Sequence, residues 1–390
     1  MIPLNVPYSA LKGRALFSLI FFTSPGLLAA VNSADKTKKT ADETITVVAD
    51  GTRQRATQGY QPVNTSTATL TTMPMLDIPQ VVNTVSEQVL EDQHATNLDE
   101  ALYNVANVVQ TNTLGGTQDA FTRRGFGANR DGSIMTNGLR TVLPRSFTAA
   151  TERVEVLKGP ASTLYGILDP GGLINVVTKR PERSFGGSVS ATSTSFGGGT
   201  GQFDVTGPID GTQLAYRVIG EYQHEDYWRN FGKEKSSFIN PSLTWFGERA
   251  TVNVSYSHRD YSAPFDRGTI FDLNTGHAVN VDRKTRFDEP FNITDGYSDL
   301  AQLNAEYRLS DAWTARFDYS YSQDHYNDDQ ARVMAYDSAT GNLTRRVDAT
   351  HGSTQKMHTT RADLQGNVVI GGFYNEILTG LAYENYDLLR

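Results

Sequence analysis

From residue 184 onward apolar and polar residues take turns along the chain. In Trp313-Thr314-Ala315-Arg316-Phe317-Asp318-Tyr319-Ser320-Tyr321-Ser322 the odd positions are apolar or aromatic and the even ones polar. Leu214, Tyr216, Val218, Gly220 and Tyr222 alternate in the same way with Ala215, Arg217, Ile219, Glu221 and Gln223, as do Val252, Val254 and Tyr256 with Thr251, Asn253 and Ser255. A period of two places one set on each face of a sheet. Nine strands are expected, near 187–196, 200–208, 212–227, 236–246, 249–260, 297–309, 312–327, 356–369 and 374–388. Strands of about ten residues ending in Tyr or Trp suit a lipid-facing barrel with aromatic girdles. A soluble β-sandwich, the alternative, uses strands of about five or six residues. Short turns at Asp210-Gly211, Phe246-Gly247-Glu248, Ser310-Asp311 and Gly371-Gly372 alternate with polar loops near 228–235, 262–296 and 328–354. Short periplasmic turns and long extracellular loops are the outer-membrane arrangement.

Between about 60 and 183 the pattern is mixed. Val81, Val82 and Val85 read as a short strand after Pro79. Thr96-Asn97-Leu98-Asp99 starts a helix whose apolar positions are Leu98, Ala101, Leu102 and Val105, an amphipathic spacing of about three turns. Arg153-Val154-Glu155-Val156-Leu157 reads as a strand, Ala161 to Tyr165 as a short helix stopping at Gly166, and Leu173-Ile174-Asn175-Val176-Val177 as another strand. The expectation is a small α+β domain.

Upstream, Lys12 and Arg14 precede an apolar run from Ala15 to Leu28, and small residues follow at Ala29-Ala30 and Ser33-Ala34. That order is a secretory signal peptide over 1–34, cleaved near Ala30 or Ala34; an N-terminal anchor is the alternative. A polar segment, 35–59, then carries one strand-prone island, Asp42-Glu43-Thr44-Ile45-Thr46-Val47-Val48-Ala49. Such an island can pair with the edge of another protein's sheet, or be the first strand of the next domain.

Composition narrows the class. With 35 Lys+Arg against 43 Asp+Glu the net charge is −8, against a nucleic-acid binder, which needs a basic stripe. The absence of cysteine excludes thiol catalysis, disulfides and Cys-ligated metals. Mean hydropathy of −0.41 and the lack of a long apolar run argue against a helical membrane protein, whereas alternating barrel strands look polar on average. No Ser/His/Asp arrangement has a recognisable catalytic spacing. His351 and His358 are too far apart for one helical metal site, and Asn327-Asp328-Asp329 reads as an acidic loop tip rather than a Ca²⁺ loop. Neither an enzyme nor a resident metal or cofactor is expected.

Five ordered blocks give the chain a specific resemblance. They are Thr122-Arg123-Arg124-Gly125-Phe126; Asn137-Gly138-Leu139; Glu152-Arg153-Val154-Glu155-Val156-Leu157-Lys158-Gly159-Pro160; Leu164-Tyr165-Gly166; and Pro170-Gly171-Gly172-Leu173-Ile174-Asn175-Val176-Val177-Thr178-Lys179-Arg180-Pro181. Together they resemble the plug domain of TonB-dependent outer-membrane receptors, most of all the ferric-siderophore branch typified by the ferrichrome receptor. The resemblance implies a plug over 60–183 and the N-terminal part of a transmembrane β-barrel over 184–390. It also likens residues 42–49 to the TonB box, the handle by which TonB and its inner-membrane energising proteins drive transport. A ferric siderophore, of hydroxamate type, is the implied transported ligand. Outer-membrane lipid is the implied surrounding, and phages and bacteriocins often exploit such receptors.

Site residues follow from the same resemblance. Arg124 matches the ligand-binding arginine of the Arg-Gly-Phe block, with Arg123 as its competitor for that role. Leu139 to Phe147 corresponds to an apical plug loop in which Arg145 and Phe147 are candidate siderophore contacts. A guanidinium fork suits the oxygens of a ferric chelate. Nine strands would close to a cylinder only about 18 Å wide, too narrow for a plug of roughly 35 Å, whereas 22 strands give about 44 Å. The chain is therefore expected to be the N-terminal portion of a longer receptor.

Overall fold

The computed structural model describes residues 57–127 and 132–389. The expected signal peptide and the island at 42–49 lie outside the described residues. A small mixed sheet and a large antiparallel sheet make up the fold, and the first packs against the inner face of the second.

The plug sheet is assembled from β1 (Val81–Val85), β2 (Ile134–Thr136), β3 (Leu139–Arg140), β4 (Thr151–Lys158) and β5 (Gly172–Thr178) in the order β1-β4-β5-β2-β3. β5 pairs in parallel with β2 and the other pairings are antiparallel. β4 and β5 are buried along almost their whole length, which is why Val154-Glu155-Val156-Leu157 and Leu173-Ile174-Asn175-Val176-Val177 read as near-continuous β-branched runs. Gly172 sits at φ +106°, and a Cβ there would lie 1.9 Å from the Leu157 carbonyl oxygen. Only glycine lets β4 and β5 meet that closely.

Each face of this sheet has its own core. On one, Val154, Val156, Ile174 and Val176 pack with α1 (Glu87–Asp92) and α2 (Leu98–Leu102). α2 starts at Asn97, whose side chain accepts from the Glu100 amide, while the Glu100 carboxylate reaches back to the Thr96 amide. This is the reciprocal cap that the sequence announces, although the helix, five residues long, is less than half the expected length. α1, capped by Ser86, was not foreseen because its single buried residue, Leu90, gives no periodicity. On the other face Leu157, Leu173 and Tyr165 of α3 (Ser162–Tyr165) pack under Ala68, Leu70 and Ile78. The segment 64–78 covering that face has only a two-residue strand pair, Asn64–Thr65 with Met73–Pro74, and a single 3-10 turn, Met75–Asp77.

A buried carboxylate fastens that segment. Glu155 is fully buried; its Oε2 accepts from Thr65 Oγ1 at 2.7 Å and from Thr67 Oγ1, and its Oε1 from Arg153 Nε at 2.7 Å. Thr67 also receives Asn175 Nδ2 on its hydroxyl (2.9 Å) and the Tyr165 hydroxyl on its carbonyl (2.9 Å). Burial pushes the Tyr165 phenol above its ordinary range, so it stays a donor.

The large sheet is a meander of nine strands: β6 (Gly186–Ser193), β7 (Gly198–Pro208), β8 (Leu214–Asp226), β9 (Lys233–Phe246), β10 (Ala250–Pro264), β11 (Ile293–Arg308), β12 (Trp313–Asp337), β13 (Asn342–Ile370) and β14 (Phe373–Leu389). Every neighbouring pair is antiparallel, and the number of strands is the expected one. The sheet is open, with β6 and β14 as its edges. Its polarity is the reverse of a soluble sheet. Asp204, Arg217, Asn240, Gln302, Ser322 and Asp324 are buried against the plug, while Leu243, Trp245, Val254, Phe317 and Leu381 are exposed on the outer face. An apolar outer face is what hydrocarbon requires. Among the described residues no helix is long and apolar enough to cross a membrane.

One expectation is corrected. The stretch 328–354 is not a loop: β12 and β13 run on as a paired hairpin to a turn at 338–341. Asp328 is therefore a strand residue, and no three His, Asp or Glu groups among the described residues converge on a metal. The projecting part of the hairpin is dense in charge, with Asp328, Asp329, Arg332, Arg345, Arg346 and Asp348 set among short apolar side chains, and that density is what reads as a loop. A bulge between Ser353 and Thr350, with Gly352 at φ +72°, marks where it leaves the regular sheet.

Removing the Glu155 carboxylate leaves Arg153 buried without its main partner. Glu155→Ala should destabilise the plug by about 3 kcal/mol, the range for stripping one member of a buried ion pair. Amide exchange at 64–74 should accelerate while β10 to β12 keep their protection. Unchanged exchange at Thr65 and Thr67 would show that Glu155 does not hold this segment.

Candidate functional site

The chain from Asn137 to Pro144 climbs the inner wall from the mid-strand level of Gln302 toward the long-loop end, where Asp324 and Tyr326 lie. Asn137 Nδ2 bonds Gln302 Oε1 at 2.7 Å, the Arg140 carbonyl accepts from Thr359 Oγ1 at 3.0 Å, and the Val142 amide donates to Ser322 Oγ at 3.1 Å. Further up, the Asp266 amide donates to the Gly115 carbonyl at 2.9 Å, so a long connecting loop touches the plug's upper end. The contacts of Gln302, Ser322 and Thr359 are hydrogen bonds made by strand side chains, because the wall presents its polar face.

Beside this ascending segment lies a cleft of about 430 Å³. The plug contributes 118–121 and 140–144; β12, β13 and β14 contribute Asp324, Gln355, Met357, Glu384 and Tyr386. At its lower side Arg140 forms an ion pair with Glu384 at 3.1 Å and donates to the carbonyls of Tyr165 and Ile167. At its upper side the Asp119 carboxylate accepts the Ser146 amide at 2.7 Å and Arg145 Nη1 at 3.2 Å. Arg145 also donates to the Gly116 carbonyl. The cleft thus offers guanidinium donors and carboxylate and amide acceptors over an apolar floor.

The structure separates the expected site residues. Arg145 stands at the top of the plug, partly exposed, with one face of its guanidinium committed to Asp119. Phe147 packs against the core cluster that contains Phe121 and Val154. Arg124 is exposed in the left-handed region, φ 51°; its Nη1 lies 3.7 Å from the position a Cβ on Gly159 would take. Burial, and then the Arg124 guanidinium, hold the neighbouring Lys158 ammonium below its ordinary range. Arg123 rather than Arg124 reaches the cleft, and it is a buried clamp: Nε donates to the Gly172 carbonyl at 3.1 Å and Nη1 to that of Phe121 at 3.0 Å. Asp119, Arg140, Glu384 and Tyr386 were not singled out from sequence. Only the alternation of β14 carried a signal, since Glu384 and Tyr386 share its plug-facing parity.

Comparison with known proteins agrees with this geometry. Residues 74–173 match the family model of the TonB-dependent receptor plug domain. The chain is 30% identical over 349 residues to the metal-pseudopaline receptor CntO of Pseudomonas aeruginosa, covering 88% of this chain and 49% of that one. It is 27% identical over 347 residues to the ferrioxamine B receptor of Salmonella typhimurium, covering 83% and 48%. The open-form crystal structure of the ferric-catecholate import receptor Fiu from E. coli K12 superposes with a TM-score of 0.71 at 26% identity, over 80% of this chain and 50% of that one. The chain spans about half the length of the curated relatives it matches. Residues 74–173 are thus a TonB-dependent receptor plug domain, and with its open nine-stranded wall the chain is similar to about half the length of such outer-membrane receptors.

Proposed function

We propose that the receptor to which this chain belongs imports a ferric siderophore of hydroxamate type across the outer membrane, energised through TonB. The observation that carries this reading is the cleft between plug and wall. A passive pore would leave the inner wall wet, whereas here it is bonded to a plug that must move before anything passes. In this reading residues 1–34 are the export signal, and 35–59 hold the TonB box at Asp42 to Ala49. Residues 60–183 are then the plug and 184–390 the barrel wall, with the short turns in the periplasm. An outer membrane has no nucleotide to spend, so work has to enter through a strand-paired handle.

Arg145 is the better placed of the expected ligand residues. Its guanidinium lies at the upper end of the plug and keeps donors beyond the pair with Asp119, which suits the oxygens of a chelate. Arg124 supplies a second exposed guanidinium, and Phe147 supports the loop from the core. The relatives named above are receptors for metal-pseudopaline and for ferrioxamine B, and both names denote metal-chelate uptake. The likeness to the metal-pseudopaline receptor favours, as a second reading, a chelate of another metal at the same cleft.

Growth of an iron-starved, receptor-null strain carrying this gene, fed a panel of ferric siderophores, tests the reading. A hydroxamate complex should restore growth; deletion of 42–49 should abolish growth while leaving binding at the cell surface intact. Rescue that survives the deletion, or none by any siderophore, would overturn it. Arg145→Ala should weaken binding of the growth-supporting chelate about tenfold, the worth of one charge-assisted hydrogen bond, as read by equilibrium binding to whole cells.

A further inference from the structure

The projecting hairpin of β12 and β13 carries a feature that strand pairing does not favour. Arg332 and Arg346 are directly opposite each other in the antiparallel register. Like charges at that spacing repel. A third arginine joins them from the long loop between β10 and β11. Arg267 donates to Gln330 Oε1 through Nε (3.2 Å) and Nη2 (2.9 Å) and lies over the Phe265 ring at 5.0 Å. Gln330 is buried two residues before Arg332 on the same face of β12. Burial first, then Arg332 and Arg346, lower the Arg267 guanidinium from its ordinary range, as expected where cations crowd.

Asp348 is the carboxylate that the two strand arginines share. Arg346 takes Asp348 with both prongs, Nε to Oδ1 at 2.7 Å and Nη2 to Oδ2 at 2.9 Å. Arg332 approaches Asp348 only to 4.0 Å, beyond hydrogen-bond reach, with its side chain 40% exposed. The adjacent Arg345 differs, having its own partner in Glu289 at 2.5 Å. An acidic protein has thus gathered three guanidiniums around two carboxylates, Asp348 and Asp328, and left donors open to solvent. Two forks side by side match a ligand with several anionic oxygens.

The geometry points to Arg267, Arg332 and Arg346 as a binding site for a small, diffusible polyoxyanion, one bearing two or more carboxylate or phosphate groups. Height above the membrane separates such a ligand from a lipid headgroup. Nineteen residues lie between Trp313 at the short-turn end of β12 and Arg332. At about 3.3 Å per residue and a tilt of about 40° that is a rise of about 48 Å, against an apolar band about 25 Å tall. The trio therefore stands roughly 20 Å beyond the hydrocarbon. Arg332 continues the face that carries Asp324 and Asp328, so the anion would be held on the plug side of the hairpin. The height argument rests on the receptor reading above; the arginine geometry does not.

Calorimetric titration of the full chain in neutral detergent at low salt, with citrate and with inorganic pyrophosphate, tests the site without reading iron uptake. Failure here and failure of the import reading are therefore distinct results. At least one anion should bind, with affinity falling as salt rises. The double variant Arg332→Gln, Arg346→Gln should weaken binding at least about tenfold. Asp348→Asn should tighten it severalfold, an improvement that misfolding cannot imitate. Binding of neither anion, equal affinity in the double variant, or no gain with Asp348→Asn would overturn the site. Reconstitution into vesicles whose only anionic lipid is a lipid A bisphosphate should leave the titration unchanged; loss of binding there would assign the trio to lipid phosphates and overturn the diffusible ligand.

Discussion

A sheet that turns its apolar side chains outward has to give its polar face something to bond with, and the arrangement of this protein follows from that constraint. Asn137 with Gln302, Val142 with Ser322, Arg140 with Thr359 and Glu384, and Arg217 and Lys179 with Asp204 are all instances of it. A soluble domain held to its neighbour by apolar packing would resist separation in proportion to the buried area. Here the interface is largely hydrogen bonds that water can replace group by group, so the net cost of parting each is small. The apolar exceptions among the described residues are modest: Ala150 of the plug against Ile219 and Phe238 of the wall, and Leu378 of β14 against the plug core around Tyr165. A body seated in this way is held in place yet remains movable.

The plug itself is built on the opposite principle. Its sheet is largely apolar on both faces, with separate cores above and below, and Glu155 and Asn175 interrupt the middle of the two central strands. Both polar groups are spoken for by Thr65, Thr67, Arg153 and the Gly138 amide. The helices on one face are regular and capped. The covering on the other face has only short pieces of regular structure and is tied down through Glu155, Asn175 and Tyr165, with Arg316 of the wall on the Leu70 carbonyl. Stability is therefore uneven across the plug, and the weaker covering is the part next to the N-terminal chain.

Much of this was legible in the sequence. Period-two runs counted nine strands correctly because polar-inward, apolar-outward alternation is enforced at every position a membrane touches. Where that pressure ends, legibility ends too: the upper halves of β12 and β13 are dense in charge, and a paired hairpin there looked like loop. α1 was invisible because one buried leucine makes no period. Among site residues, Arg123 and Arg124 are adjacent in the same block, and chain order cannot tell which is swallowed. Burial decides it: Arg123 is clamped on two carbonyls, and Arg124 is left at the surface by a left-handed backbone.

Sequence by itself determined the fold family, the alternation of the wall, the glycine that lets β4 meet β5, and the caps of α2. Each depends on neighbours within a few residues, or on a face repeated along one strand. Only tertiary structure decided which side chains meet. It put Glu384 against Arg140 across 244 residues, Thr65 and Thr67 on Glu155, and three arginines around Asp348 and Asp328. Such pairings depend on strand register and on the docking of plug to wall, and these are set by the sum of many contacts with no local signature in the chain.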